Sequence, residues 1–208
     1  MLASGAVGVP SSDNKSVGYV FGYGSLADPQ DPLVVARSDL GPVVDASLTG
    51  FRRRWNAAMR NRDPANDHKH YVDPVTRQRP DIYVVSLSVE PHPLITCNGV
   101  LIAVDPARLS WFDRRELDFD RIDVTASVTP SKGSPVWTYT ASNATLRRYE
   151  EGRRVDRTYV SRAYVTKVRG AFAARGESAV RQYEASTAPP SCPLRDLLLI
   201  RAEGAAGI

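Results

Sequence analysis

With 208 residues, 42% hydrophobic, 24% charged and a formal net charge of +4, the chain has the composition of one globular domain with its own core. No run approaches the ~20 apolar residues of a membrane span, and the first residues lack the basic-then-apolar order of a signal peptide. Cys97 and Cys192 follow no CxxC spacing, so neither a disulfide framework nor a zinc site is expected, and a reduced, cytoplasmic setting is.

Residues 1–16 are small and polar and read as a disordered leader. A first strand is predicted from about Val17 to Gly22, running into the turn Phe21-Gly22-Tyr23-Gly24-Ser25-Leu26. Glycines at two of these positions allow a ligand close to the main chain, and such a turn can aim successive N–H groups at an anion. Alone, the hexamer fits a plain tight turn equally well. A two-proline loop follows, and residues 33–39 fit a short helix or an irregular turn. Val43 to Asn56 reads as a strand or bent strand pair broken at Gly50. Within it Arg52-Arg53-Arg54, the densest basic run, fits a solvated strand or loop end better than a phosphate-binding patch. Nucleic acid is therefore not an expected partner.

Residues 60–81 are polar and read as a long excursion, of the kind that covers a site or forms a mobile insert. Ile82–Val89 reads as a strand, Glu90-Pro91-His92-Pro93 as a turn, and Thr96–Val104 as the most apolar and most central strand. Asp105 to Asp118 reads as a helix: Asp105 suits the N-cap, Pro106 the first turn, and Leu109, Phe112 and Glu116 share a face. Ile122–Val128 and Val136–Thr140 are expected strands. Tyr159–Arg169 and Glu177–Ala185 are expected helices, followed by a proline-containing tail with an apolar piece at Leu197–Ile200.

Glu116 is the candidate for chemistry. A carboxylate on a core-facing stripe is costly unless compensated. The alternative is a partly exposed glutamate paired with Arg114, Arg115 or Arg121. Other constellations are poorer. Ser25 lacks a GxSxG elbow, Cys97 sits in an apolar strand, and His68 and His70 lack a third metal ligand.

Taken in order, these stretches resemble the γ-glutamyl cyclotransferase-like proteins. The Tyr-Gly-Ser loop stands as Tyr23-Gly24-Ser25-Leu26. The apolar strand opening on Gly99 leads to Phe112-Asp113-Arg114-Arg115-Glu116-Leu117, then Phe119 and Arg121. Gly50-Phe51-Arg52-Arg53-Arg54-Trp55, Trp137-Thr138-Tyr139, Tyr159-Val160, and Gly170 with Gly176–Tyr183 are similar to other family segments. The match spans roughly residues 17–188, leaving 189–208 as a tail. It departs at Leu26, at Phe119, and in the length of the 60–81 segment.

The resemblance implies an α/β (α+β) fold: a mixed, strongly curved sheet, a small barrel, with helices outside. It implies release of 5-oxoproline from a γ-glutamyl amine, peptide or conjugate, with Glu116 as general acid and base. Tyr23, Gly24, Ser25, Leu26, Tyr139 and Tyr159 would contact a small-molecule substrate, with no metal or organic cofactor and no membrane. The alternative is a non-catalytic module that keeps the pocket and only binds. The leaving amine and the oligomeric state stay open.

Overall fold

The computed structural model describes residues 18–28 and 40–201. The expected leader, the helix-or-turn at 33–39 and the last residues of the tail lie outside them. The strands are β1 (Gly18–Gly22), β2 (Val44–Arg60), β3 (Lys69–Val72), β4 (Tyr83–Val104), β5 (Phe119–Asp123), β6 (Val128–Thr129), β7 (Val136–Ala141), β8 (Thr158–Ser161), β9 (Leu194–Arg195) and β10 (Leu198–Arg201). Four α-helices appear among the described residues: α1 (Pro106–Arg115), α2 (Asn143–Arg154), α3 (Arg162–Ala173) and α4 (Glu177–Ala185).

Eight strands form one mixed sheet in the order β5-β7-β1-β4-β2-β6, with β8 beside β4 and β9 beside β8. The sheet is strongly curved, as expected, but it curls into a half-barrel and does not close into a small barrel. β4 is its spine. The C-terminal half of β4 lies between β1 and β2, and its N-terminal half pairs with β2 and, in parallel, with β8. Cys97 to Val104 are all buried, as expected of a strand covered on both faces. Alternation then splits the core. Val20, Val100, Ile102 and Val104 join Trp55, Phe112 and Phe172 on one face; Phe21, Leu101, Leu48 and Val128 pack on the other.

The predicted turn at Glu90–Pro93 is extended chain within β4. The ladder with β2 runs to Thr49↔Thr96 and resumes at Phe51↔Pro91, so His92–Ile95 bulge opposite Gly50 alone. Gly50 has φ +83°, a conformation glycine adopts freely. Both long segments are therefore single bent strands, a geometry that bulges produce.

Three other expectations change. α1 begins as predicted, with Asp105 accepting from the Arg108 N–H, but it ends at Arg115, so Glu116 is its C-cap. Tyr159 lies in β8, because parallel pairing of Val84 with Tyr159 extends the chain where local pattern suggests helix. α2 was not anticipated; its sequence NATLRRYEEGRR is almost wholly polar, and it is held by the Ser142 cap and by Thr145, Tyr149 and Gly152 on its buried side. The 60–81 excursion also has structure. Asn61 bridges its two ends, donating to the carbonyls of Tyr71 and Pro80 and accepting from the Tyr71 N–H. Its strand β3 pairs antiparallel with β10, so the apolar piece near the C-terminus closes over the excursion.

Candidate functional site

The glycine turn is anchored through its carbonyls. β1 ends at Gly22, where a Cβ would stand 2.9 Å from the Leu26 Cβ. A single 3-10 turn, Ser25–Ala27, follows. Arg53 Nε donates to the Tyr23 carbonyl (2.7 Å), Thr138 Oγ1 to that of Phe21 (3.0 Å), and Arg175 Nε to that of Ala27 (2.7 Å). The Tyr23 hydroxyl donates to the Tyr139 carbonyl at 2.7 Å. By contrast, the N–H groups of Tyr23, Gly24, Ser25 and Leu26 make no backbone hydrogen bond among the described residues. The loop thus spends its acceptors on the protein and keeps a run of donors, the arrangement of an anion nest.

Arg53 is the support that sequence reasoning missed. The run Arg52–Arg54 was read as solvated, yet Arg53 is wholly buried. Besides Tyr23 it donates to Ser186 Oγ (2.6 Å) and to both oxygens of Asn98. Its guanidinium lies 4.8 Å from the ring centroid of Phe172 and 5.2 Å from that of Tyr183. Strand alternation explains the pattern: Arg53 points inward, while Arg52 and Arg54 point outward and share Glu90.

Glu116 lines the same cavity as this loop. As the C-cap of α1 its N–H donates to the Phe112 carbonyl, and its own carbonyl accepts from the Phe119 N–H at 2.7 Å. Its side chain is partly exposed, with Oε1 3.3 Å from Arg115 Nε. The Arg115 guanidinium in turn lies over Trp111, and its Nη1 is buried without a partner.

Loop and acid line one cavity of about 150 Å³, which takes in Tyr23 to Leu26, Glu116, Tyr139 and Tyr164. Burial, followed by the charge of Glu116, pushes the Tyr23 phenol up. Tyr139 is raised by burial and then by Asp113, whose Oδ1 accepts from its hydroxyl at 2.8 Å. Tyr139 therefore walls the cavity with its proton already committed. Tyr159 is not part of this wall; its ring lies under the Arg195 guanidinium. Tyr164, one turn into α3, lines the cavity instead, edge-on to Trp55 and raised chiefly by burial. It follows Tyr159 by five residues, and only the strand-to-helix transition at Ser161 decides which of them faces inward.

A second cavity of about 190 Å³ adjoins the first and shares Lys69, Ser86, Arg115, Glu116 and Phe119 with it. Its further lining includes Asn66 and His68 from the 60–81 excursion and Arg148 from α2, which is paired to Asp118 at 2.8 Å. No group of three potential metal ligands occurs among the described residues, and no helix among them is long and apolar enough to cross a membrane.

No protein-family model and no curated protein matches the sequence. Among solved structures, an uncharacterized protein from Homo sapiens aligns with a TM-score of 0.52 at 14% identity, over 84% of this chain and 89% of that one. That likeness shows a shared fold. Structural neighbours also include a γ-glutamyl cyclotransferase (TM-score 0.48, 14% identity, 84% and 89% covered). Another is a yeast γ-glutamyl cyclotransferase specific to glutathione (TM-score 0.48, 13% identity, 83% and 98% covered).

Proposed function

We propose that the chain is a γ-glutamyl cyclotransferase-like enzyme that releases 5-oxoproline from a γ-glutamyl compound. One observation carries this reading: the Tyr23–Leu26 loop, with its uncommitted N–H groups, and the Glu116 carboxylate line a single cavity. The sequence resemblance assigns the same two elements to the reaction, and they lie far apart in the chain.

In a γ-glutamyl amide the nucleophile and the carbonyl it attacks are already in one molecule. The site must chiefly fold the substrate so that they meet, which is where most of the rate gain of a tethered reaction lies. Glu116 takes a proton from the α-ammonium. The freed amine attacks the side-chain carbonyl carbon, forming the lactam C–N bond, and the carbonyl oxygen gains negative charge. The bond to the leaving nitrogen then breaks as that nitrogen takes up the proton Glu116 held. The second proton lost by the ring nitrogen brings the departing amine to its ammonium form. The loop N–H groups provide donors for the α-carboxylate or for the developing oxyanion. Arg115 Nε lies 3.3 Å from Glu116 Oε1 and pairs with the carboxylate.

The test is 5-oxoproline release from a panel of γ-glutamyl amines, amino acids and peptides. Glu116→Gln, which keeps size but cannot take the proton, is expected to lose roughly 10²- to 10⁴-fold in kcat. Undiminished turnover in that variant would remove Glu116 from the mechanism. Tight binding of γ-glutamyl compounds without turnover by the wild type would favour a binding module over an enzyme.

A further inference from the structure

One wall of the loop cavity does not belong to the main sheet. Lys69 and Tyr71 of β3 and Leu199 and Arg201 of β10 line the cavity from a separate two-stranded sheet. They sit in register, Leu199 opposite Tyr71 and Arg201 opposite Lys69. Alternation turns the pairs between them, Leu198 with Val72 and Ile200 with His70, to the other face of the ribbon.

The segment that carries β10 is well anchored as far as Leu197. Before that point β9 pairs in parallel with β8, and the Val160 N–H donates to the Pro193 carbonyl. Arg195 reaches Asp73, and Arg162 reaches Asp196. Leu197 itself is buried with Met59, Tyr71, Ile82 and Val84. Beyond it, β10 pairs with β3 and with no other strand among the described residues. A two-stranded ribbon is marginally stable on its own. This one ends, away from Leu197, on the like-charged cross-strand pair Arg201 and Lys69, which weakens it further there. The cavity it closes is small. Its volume of about 150 Å³ falls below the roughly 300–1,000 Å³ of clefts that hold a small-molecule ligand.

We propose that β10 is a hinged wall of the cavity: it peels from β3 starting at Arg201, turns about Leu197, and so admits the substrate and releases the products. Opening withdraws Leu199 and Arg201 from the lining and leaves the Tyr23–Leu26 loop and Glu116 where they are. That the molecule admitted is a γ-glutamyl compound rests on the reaction proposed above; the hinge itself rests on the ladder and its anchors.

A reversible lock tests this. His70 and Ile200 are direct cross-strand partners on the face away from the cavity. Opposed residues of an antiparallel pair have Cα atoms about 4.5–5.5 Å apart, within reach of a disulfide. In the full chain carrying His70→Cys and Ile200→Cys, oxidation should slow the association of γ-glutamylglycine in stopped flow by roughly 10-fold or more, and reduction should restore it. Hydrogen exchange gives a second reading without ligand. In the wild type the β10 amides should exchange at least ~100-fold faster than those of Val100 to Val104 in β4. Arg201→Glu places opposite charges across the ladder and should slow β10 exchange; exchange alone is read in that variant, because Arg201 also borders the cavity. An oxidised chain that binds as fast as the reduced one overturns the proposal. So does β10 exchange as slow as that of β4, or exchange in Arg201→Glu no slower than in the wild type. Fast β10 exchange that the disulfide and Arg201→Glu both suppress, with no 5-oxoproline from any γ-glutamyl compound, supports the hinged wall and refutes the reaction, so the two failures are distinguishable.

Discussion

Replacing Arg53 by Met tests the idea that one buried guanidinium shapes the loop. Met keeps much of the aliphatic volume and removes every donor. It strands the Tyr23 carbonyl and both oxygens of Asn98, which accept from Arg53, whereas the Ser186 hydroxyl keeps its bond to the Gln182 carbonyl. An orphaned buried polar group costs about 1–3 kcal/mol, so the Tyr23 carbonyl and the two Asn98 oxygens together cost roughly 3–9 kcal/mol. Against this, the variant no longer buries a cation, a penalty of several kcal/mol in the native protein. No carboxylate neutralises Arg53 among the described residues; its surroundings are carbonyl and hydroxyl oxygens and the faces of Phe172 and Tyr183. The net loss is then about 2–5 kcal/mol, which for a domain of this size lowers Tm by roughly 5–15 °C. Differential scanning calorimetry measures it. Because the Tyr23 carbonyl loses its anchor, affinity for γ-glutamylglycine should fall in the same variant at temperatures where it remains folded. A Tm within about 2 °C of the wild type, with affinity intact, would refute the claim that Arg53 holds the loop.

A methyl group at Gly99 would stand 2.5 Å from the Gly22 carbonyl oxygen and 2.6 Å from the Phe21 ring, so Gly99→Ala must displace the root of the loop. A loss of about 1–3 kcal/mol by thermal melting is expected, as for an overpacked core, and an unchanged melting curve would contradict the packing. Lys69 supplies a pH signature. Burial foremost, then Arg201 and Arg115, hold its ammonium below the usual lysine range against the opposing pull of Glu116 and Asp118. Between that depressed value and the ~10.4 of a free lysine, the folded protein binds fewer protons at Lys69 than the unfolded chain. This group's contribution to stability therefore rises with pH across that window. Thermal melting of wild type and Lys69→Met across pH measures it: the wild type should gain on the variant as pH rises through that window, and a pH-independent difference would refute the burial of the ammonium.

Local pattern was enough for several parts of the protein. The β1 strand and its glycine turn, the Asp105 cap with Pro106, the helix Glu177–Ala185 and the buried run ending at Val104 each carry a local residue pattern that agrees with the structure they take. The loop and Glu116 were likewise readable as separate motifs. Other features depend on neighbours that the sequence brings near only through the fold. Tyr159 is strand because β4 is there to pair with it, and that pairing puts Tyr164 rather than Tyr159 in the cavity wall. α2 carries so little apolar sequence that only its docking on the sheet accounts for it.

The sequence by itself determined which residues could do chemistry, since a glycine-rich turn and a carboxylate have their capabilities wherever they fall. Tertiary structure decided which of them share a space. It turned one arginine of three inward beneath the loop, placed Lys69 opposite Arg201, and left Arg115 with an unpaired nitrogen beside Glu116. For Arg53 and Lys69 those outcomes turn on strand register, because a one-residue slip would carry the same side chains to the opposite face of the sheet.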